Sequence, residues 1–265
     1  MARSTRSHSA SRFMLEQRSP AFANNVRRLL QVRAATSYNL GEKSGKIAAS
    51  RLWRVGLPPI DSGDWNSRVF KRETEESDVL HTAVFLLVDW SGSMAGRKCE
   101  AAAKASQLIN DAFAQVLHIP LKIVAFTSTG PFPVMGVMKN WNERVSDVSM
   151  AERFFHFSSR MSGNNDADAL LWSYKDIIKR DEKRKVIIVL SDGSPADGFG
   201  DPYFALKQVV GQILKEKRVD LYGLGIMDTN VKDFYPKNVV INRESELERS
   251  LVALMGKALV NGGTG

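Results

Sequence analysis

Asp89, Ser91 and Ser93 alternate within TAVFLLVDWSGS (82–93), directly after an unbroken apolar run from Ala83 to Val88. A carboxylate and two hydroxyls on one short loop offer three hard oxygen donors. Such donors suit Mg²⁺, which takes few protein ligands and keeps waters or another molecule's oxygen in its shell. Gly92 allows a turn tight enough for the two hydroxyls to converge. The same residues also read as a strand end, a turn and a helix cap, so this loop alone leaves both readings open.

Two further polar stretches bear on the choice. Ser191-Asp192-Gly193 follows the apolar run KVIIVL (185–190), and Asn164-Asn165-Asp166 opens a helical pattern. In a doubly wound sheet the carboxyl ends of the central strands share one crevice. Asp89 and Asp192 would converge there. Two carboxylates without a cation repel, and a bound Mg²⁺ removes that cost.

The elements that must position these loops follow from periodicity. Ala83–Val88, Leu121–Phe126, Lys185–Leu190 and Val219–Ile226 read as buried strands, with a short edge strand over Pro131–Met138 and a short last strand at Val239–Ile241. Helices are expected over Lys98–Leu117, near Met150–Phe157, after Asp166, over Tyr203–Glu216 and over Ser245–Leu259. Strands alternating with helices predict an α/β fold, a doubly wound, mostly parallel sheet covered on both faces. Upstream, Phe22, Val26, Leu29, Leu30 and Val32 fall near helical spacing, so Ala21–Arg54 is read as helical, broken at Gly41–Gly45. The expected organisation is a basic helix-rich extension (1–56), a linker and charged lead-in (57–78) and one large domain (79–262).

Composition narrows the classes. The chain has 265 residues, 43% of them hydrophobic, enough for a sizeable core, and no apolar run approaches a membrane span. A single cysteine, Cys99, excludes an internal disulfide and suits a reducing, cytoplasmic compartment. The net charge of +8 is concentrated at the front, where residues 1–54 carry eleven Lys/Arg against Glu16 and Glu42. This start is Arg- and Ser-rich like a transit peptide, and is read in preference as a solvated basic arm that docks on a partner or is disordered.

The motifs together resemble a family. D-x-S-x-S, a polar middle loop and S-D-G resemble the metal-ion-dependent adhesion site of von Willebrand factor A domains. FKRE (70–73), LLVDWSGSM (86–94), N-x-D-A-D-A-L-L-W (164–172) and VIIVLSDGSPAD (186–197) resemble the CobT subunit of the aerobic cobaltochelatase, over roughly residues 20–260. The resemblance implies Asp89, Ser91 and Ser93 as direct Mg²⁺ ligands and Asp192 as the last, through water. The family's middle-loop Thr is replaced here, leaving Asn164 or Asp166 in its place. It implies a partner, a ring-forming AAA+ ATPase of MoxR or CobS type, and a larger chelatase or other target subunit. Relative to full-length CobT proteins the chain is expected to be a short form, of bacterial or bacteriophage origin, lacking their acidic segment and further N-terminal domain.

Other side chains are assigned lesser roles. Trp90 is either a rim residue for a protein partner or core. Ser191 is read as a structural hydroxyl, Asp197 as a loop residue and Asp168 as exposed on the following helix. His8, His81, His118 and His156 show no zinc-binding spacing. No G-x-S-x-G elbow and no G-x-x-x-x-G-K-S/T loop occur. A Mg²⁺-dependent phosphohydrolase using Asp89 as nucleophile remains an alternative, although Ser91 stands where such enzymes place a second acid. A nucleic-acid-binding protein driven by the basic front is another.

Overall fold

The computed structural model describes residues 10–14, 22, 24–25, 28, 38–42, 44, 46–54, 69–73, 81–116, 118–192 and 194–260. The expected linker at 57–65 and most of the basic arm lie outside these residues.

The first described strands form a small antiparallel sheet. β1 (Tyr38–Glu42), β2 (Lys46–Ile47) and β3 (Phe70–Glu73) pair in the order β1-β3-β2. This corrects the helical expectation at 38–40, carries the strand into the expected break at Gly41, and makes a strand of the charged lead-in; Ala49–Arg54, within the stretch read as a second short helix, is a 3-10 turn. Periodicity missed the sheet because β3, the partner of both, lies beyond the linker, and short strands form through pairing more than through local preference. The register shifts between Leu40 and Glu42, so Gly41 sits at the irregularity.

The principal sheet has six strands. They are β4 (Thr82–Asp89), β5 (Leu121–Thr129), β6 (Phe132–Lys139), β7 (Arg184–Ser191), β8 (Asp220–Ile226) and β9 (Asn238–Ile241), in the order β6-β5-β4-β7-β8-β9. All neighbours are parallel except β5 and β6, which make a hairpin through Gly130 at φ 57°. From β4 onward the helices are α1 (Arg97–Asn110), α2 (Asp147–Phe157), α3 (Asp166–Ile177), α4 (Pro202–Glu216), the short α5 (Val231–Phe234) and α6 (Leu247–Val260). The pattern expected beyond Ala83 is thus present; α1 departs from it by ending in a π-helical turn over Asp111–Val116.

β4 shows why its apolar run is unbroken. Val84, Leu86 and Val88 join the core under α1, α2 and α6, while Phe85 and Leu87 join the core under α3 and α4. A strand covered on both faces has no place for a polar alternate. The buried residues of α1 include the small side chains Ala101, Ala102, Ala103 and Ala105. Phe13 and Phe22, from the basic extension, are buried in the same cluster as Trp90 and α1. Each such side chain contributes about 1.5–3 kcal/mol by leaving water. The chain order reverses between β4 and β7, which places the carboxyl-end crevice where Asp89 and Ser191-Asp192 emerge.

Candidate metal centre

Asp89 is the last residue of β4 and fully buried. Its Oδ1 accepts the Ser91 N–H at 2.9 Å, an Asx-type turn that fixes the carboxylate to its own loop. Its Oδ2 accepts from Ser191 Oγ at 2.9 Å and from Asn164 Nδ2 at 3.2 Å. All three loops therefore meet on one carboxylate. Ser191 has the structural role read from the sequence.

Ser91 and Ser93 place their hydroxyls 3.0 Å apart. Ser91 is buried and Ser93 exposed, so the donors step from the interior to the surface. Gly92 serves less by turning than by closeness. Its N–H donates to Ser162 O at 2.7 Å, and a β-carbon there would stand 3.2 Å from that oxygen.

The middle loop is clamped from both sides. Gly163 forms a two-way backbone bridge with Ser128, and Thr127 Oγ1 donates to Gly163 O at 3.0 Å. Asn164 O accepts from the Ala196 and Asp197 N–H groups at 3.1 and 2.8 Å. Asp197 in turn accepts from the Asn164 N–H at 3.0 Å and from the Ser128 hydroxyl. Asp197, read as an ordinary loop residue, is the buttress of the middle loop. Asn165 caps α3 by accepting from the Asp168 N–H, while its Nδ2 donates to the Asp168 carboxylate at 2.8 Å. Asp168 is therefore half-buried and bound to the cap residue Asn165, and not the exposed residue expected.

Asp166 and Asp192 complete the cluster, each 2% exposed. Burial, then the nearby Asp89 and Asp192 charges, push the Asp166 carboxyl well above the usual carboxylate range. Burial, with Asp192 adding to it, raises Asp89 to about 6. Three buried oxygens here have no hydrogen-bond partner among the described residues: Asn164 Oδ1, Asp166 Oδ2 and Asp192 Oδ1. Buried acceptors left unpaired beside repelling carboxylates are costly. A hard divalent cation would satisfy both deficits, so the donor set fits Mg²⁺. Among the described residues no group of three or more His, Cys, Asp or Glu side chains forms a metal cage by itself. A cation there would have to draw on the hydroxyls, the amide and outside oxygens as well.

The structure also decides the role of Trp90. It is fully buried, with ring centroids 4.6 Å from Phe154 and 5.8 Å from Phe13, and its Nε1 donates to Ser158 Oγ. It is core. Lys98, which the sequence reading passed over, places Nζ 3.0 Å from Asp192 Oδ2. Its only sequence signal was a cation in a helix's first turn.

A doubly wound sheet with D-x-S-x-S on the first central strand, meeting two more loops at the switch point, defines a von Willebrand factor A-type domain. The family model described as the cobalamin biosynthesis protein CobT VWA domain matches residues 69–134 and 132–261. The chain belongs to that family. Among solved structures it is similar to the PilB minor pilin from Streptococcus sanguinis, with TM-score 0.55 and 12% identity over 78% of this chain and 68% of that one. A point mutant of the same pilin matches with TM-score 0.51 and 12% identity over 69% of this chain. This chain spans 63% of that mutant's length. The vWF domain of the type V pili tip protein Mfa5 from Porphyromonas gingivalis matches with TM-score 0.49 and 9% identity, over 69% of this chain and 96% of that domain. At such identities these likenesses speak to the fold alone. Among the described residues no helix is long and apolar enough to cross a membrane.

Proposed function

We propose that this chain is a Mg²⁺-binding adaptor subunit that couples a MoxR- or CobS-type AAA+ ATPase to a larger target in a cobaltochelatase-like complex. Membership of the CobT family supports the setting. The observation that carries the metal-dependent part is the group of partnerless buried oxygens on Asn164, Asp166 and Asp192 beside Asp89. Asp89, Ser91 and Ser93 would hold the ion directly, with Asn164 or Asp166 from the middle loop and Asp192 completing the shell. When bound, Mg²⁺ supplies charge that neutralises the carboxylates and an open coordination position for a partner's oxygen. The protein's own contribution is to fix Asp89 through Ser91, Ser191 and Asn164, and to expose Ser93 at the mouth. A partner carboxylate docking there is recognised by both charge and position. The chain itself does no bond-breaking chemistry in this reading; Ser91, where a phosphotransfer enzyme would need an acid, is hydrogen-bonded to Ser93.

The test is affinity capture from the native host with tagged wild type and Asp89→Ala, each in Mg²⁺ and in EDTA. An AAA+ ATPase held only by wild type in Mg²⁺ is the expected result. Capture indifferent to both changes would move the interface to the basic extension, and no ATPase in any lane would overturn the adaptor reading.

A further inference from the structure

Lys98 lies in the first turn of α1, beside Arg97, after Gly96 at φ 81°. A cation is disfavoured there, because the unpaired N–H groups of a helix start carry partial positive charge. Its placement breaks a local rule, and such breaks are expected where function outweighs stability. What it gains is Asp192. The Nζ–Oδ2 distance is 3.0 Å; the carboxylate side chain is 3% exposed and the lysine side chain 27% exposed. The ammonium approaches from the wetter side and reaches a carboxylate at the floor of the crevice.

The charge balance is incomplete. Three buried carboxylates, Asp89, Asp166 and Asp192, share the crevice, and Lys98 touches only the last, whose Oδ1 stays without a partner. One ammonium therefore stands in for part of what a divalent ion would neutralise. It uses the same carboxylate that the metal-site reading assigns to the ion's shell.

We infer that Lys98 is a tethered competitor for the metal. It holds Asp192 when no ion is bound and must release or share that carboxylate when one binds, which lowers the site's affinity for Mg²⁺. This inference rests on the metal-site reading above. It adds that the affinity is set partly by a residue that is not a ligand, through an internal ion pair on one of the site's carboxylates.

The test measures MgCl₂ binding by calorimetry and melting with and without Mg²⁺, for wild type, Lys98→Met, Lys98→Arg and Asp89→Ala. Lys98→Met is expected to bind Mg²⁺ about tenfold more tightly, since no partly buried ion pair has to be broken first. Its metal-free form should melt lower than wild type, because Asp192 loses the Lys98 ammonium. Its rise in Tm on adding Mg²⁺ should therefore exceed that of wild type. Lys98→Arg keeps the competing charge and should stay near wild type, which separates competition from damage to the fold. Equal or weaker Mg²⁺ binding by a folded Lys98→Met, with wild type still binding, would overturn the inference and leave the metal site standing. No binding by wild type, matching Asp89→Ala, would overturn both.

Discussion

The Asp197 carboxylate occupies the place where residue 163 would carry a side chain: a β-carbon on Gly163 would fall 1.5 Å from Asp197 Oδ2. That carboxylate holds the Asn164 N–H and the Ser128 hydroxyl, so the glycine and the acid form one device that sets the middle loop. Gly163→Ala should cost about 1–3 kcal/mol by overpacking and weaken Mg²⁺ binding. In an Asp197→Ala background the same change should cost less, because the carboxylate is gone and the remaining close atom, Ser128 Oγ at 2.6 Å, is a hydroxyl that can rotate away. Denaturant unfolding of the double-mutant cycle reads this coupling, and strict additivity would rule the device out.

Asp166 Oδ2 is buried and partnerless, and burial, with Asp89 and Asp192 adding to it, raises the energy of its ionised form. Asp166→Asn keeps the size and removes the charge. The metal-free protein should gain about 1–3 kcal/mol of stability, and Mg²⁺ affinity should fall. Asn164→Ala should instead lose stability, since its Nδ2 holds both Asp89 and Ser194 O. Calorimetric titration of both variants identifies the middle-loop donor as the one whose loss costs more affinity. A destabilised metal-free Asp166→Asn would show that its carboxylate is not under repulsion.

The pH response follows from Asp89. Burial raises it from 3.8 to about 6, so the folded protein holds this proton more tightly than the unfolded chain does. The associated stability is fully present below about pH 4 and is lost as pH rises through about 6. Asp166 is shifted in the same direction. In EDTA the protein should therefore melt several degrees higher at pH 5 than at pH 7.5. Saturating Mg²⁺ should reverse the preference, because metal binding requires ionised carboxylates. Melting curves at the two pH values, with and without the ion, check both halves; a metal-free melting point that rises with pH would contradict the assignment.

The sequence disclosed the parts of this site that are local. Asp89, Ser91 and Ser93 share a loop, and the apolar runs before Asp89 and Ser191 located both central strands without any knowledge of pairing. What it withheld depends on long-range contact. The Asp197–Gly163 packing joins residues 34 apart, and Lys98 meets Asp192 across 94 positions. Neither leaves a periodic trace. The β1-β3-β2 sheet was missed for the same reason, with helical spacing in the preceding stretch extended too far. Trp90 shows a third limit. Its neighbours in sequence are ligand candidates at the site, yet its side chain faces the opposite way, into Phe13 and Phe154.

That burial gives the last prediction. Trp90 is flanked by Phe154 from α2 and by Phe13 from the N-terminal extension, and Gln107 Nε2 on α1 donates to Phe13 O at 2.6 Å. The extension therefore contributes core to the domain as well as charge. Trp90→Ala should cost about 3–5 kcal/mol, and Phe13→Ala a comparable amount, through the cavities they leave. Trp90→Phe should be tolerated better, losing mainly volume and the bond to Ser158. If Trp90 were a contact for the partner, Trp90→Phe would reduce ATPase capture while leaving the melting point near wild type. The packing predicts the opposite split: a lowered melting point with capture intact, since an aromatic ring held between two others meets no partner at the surface.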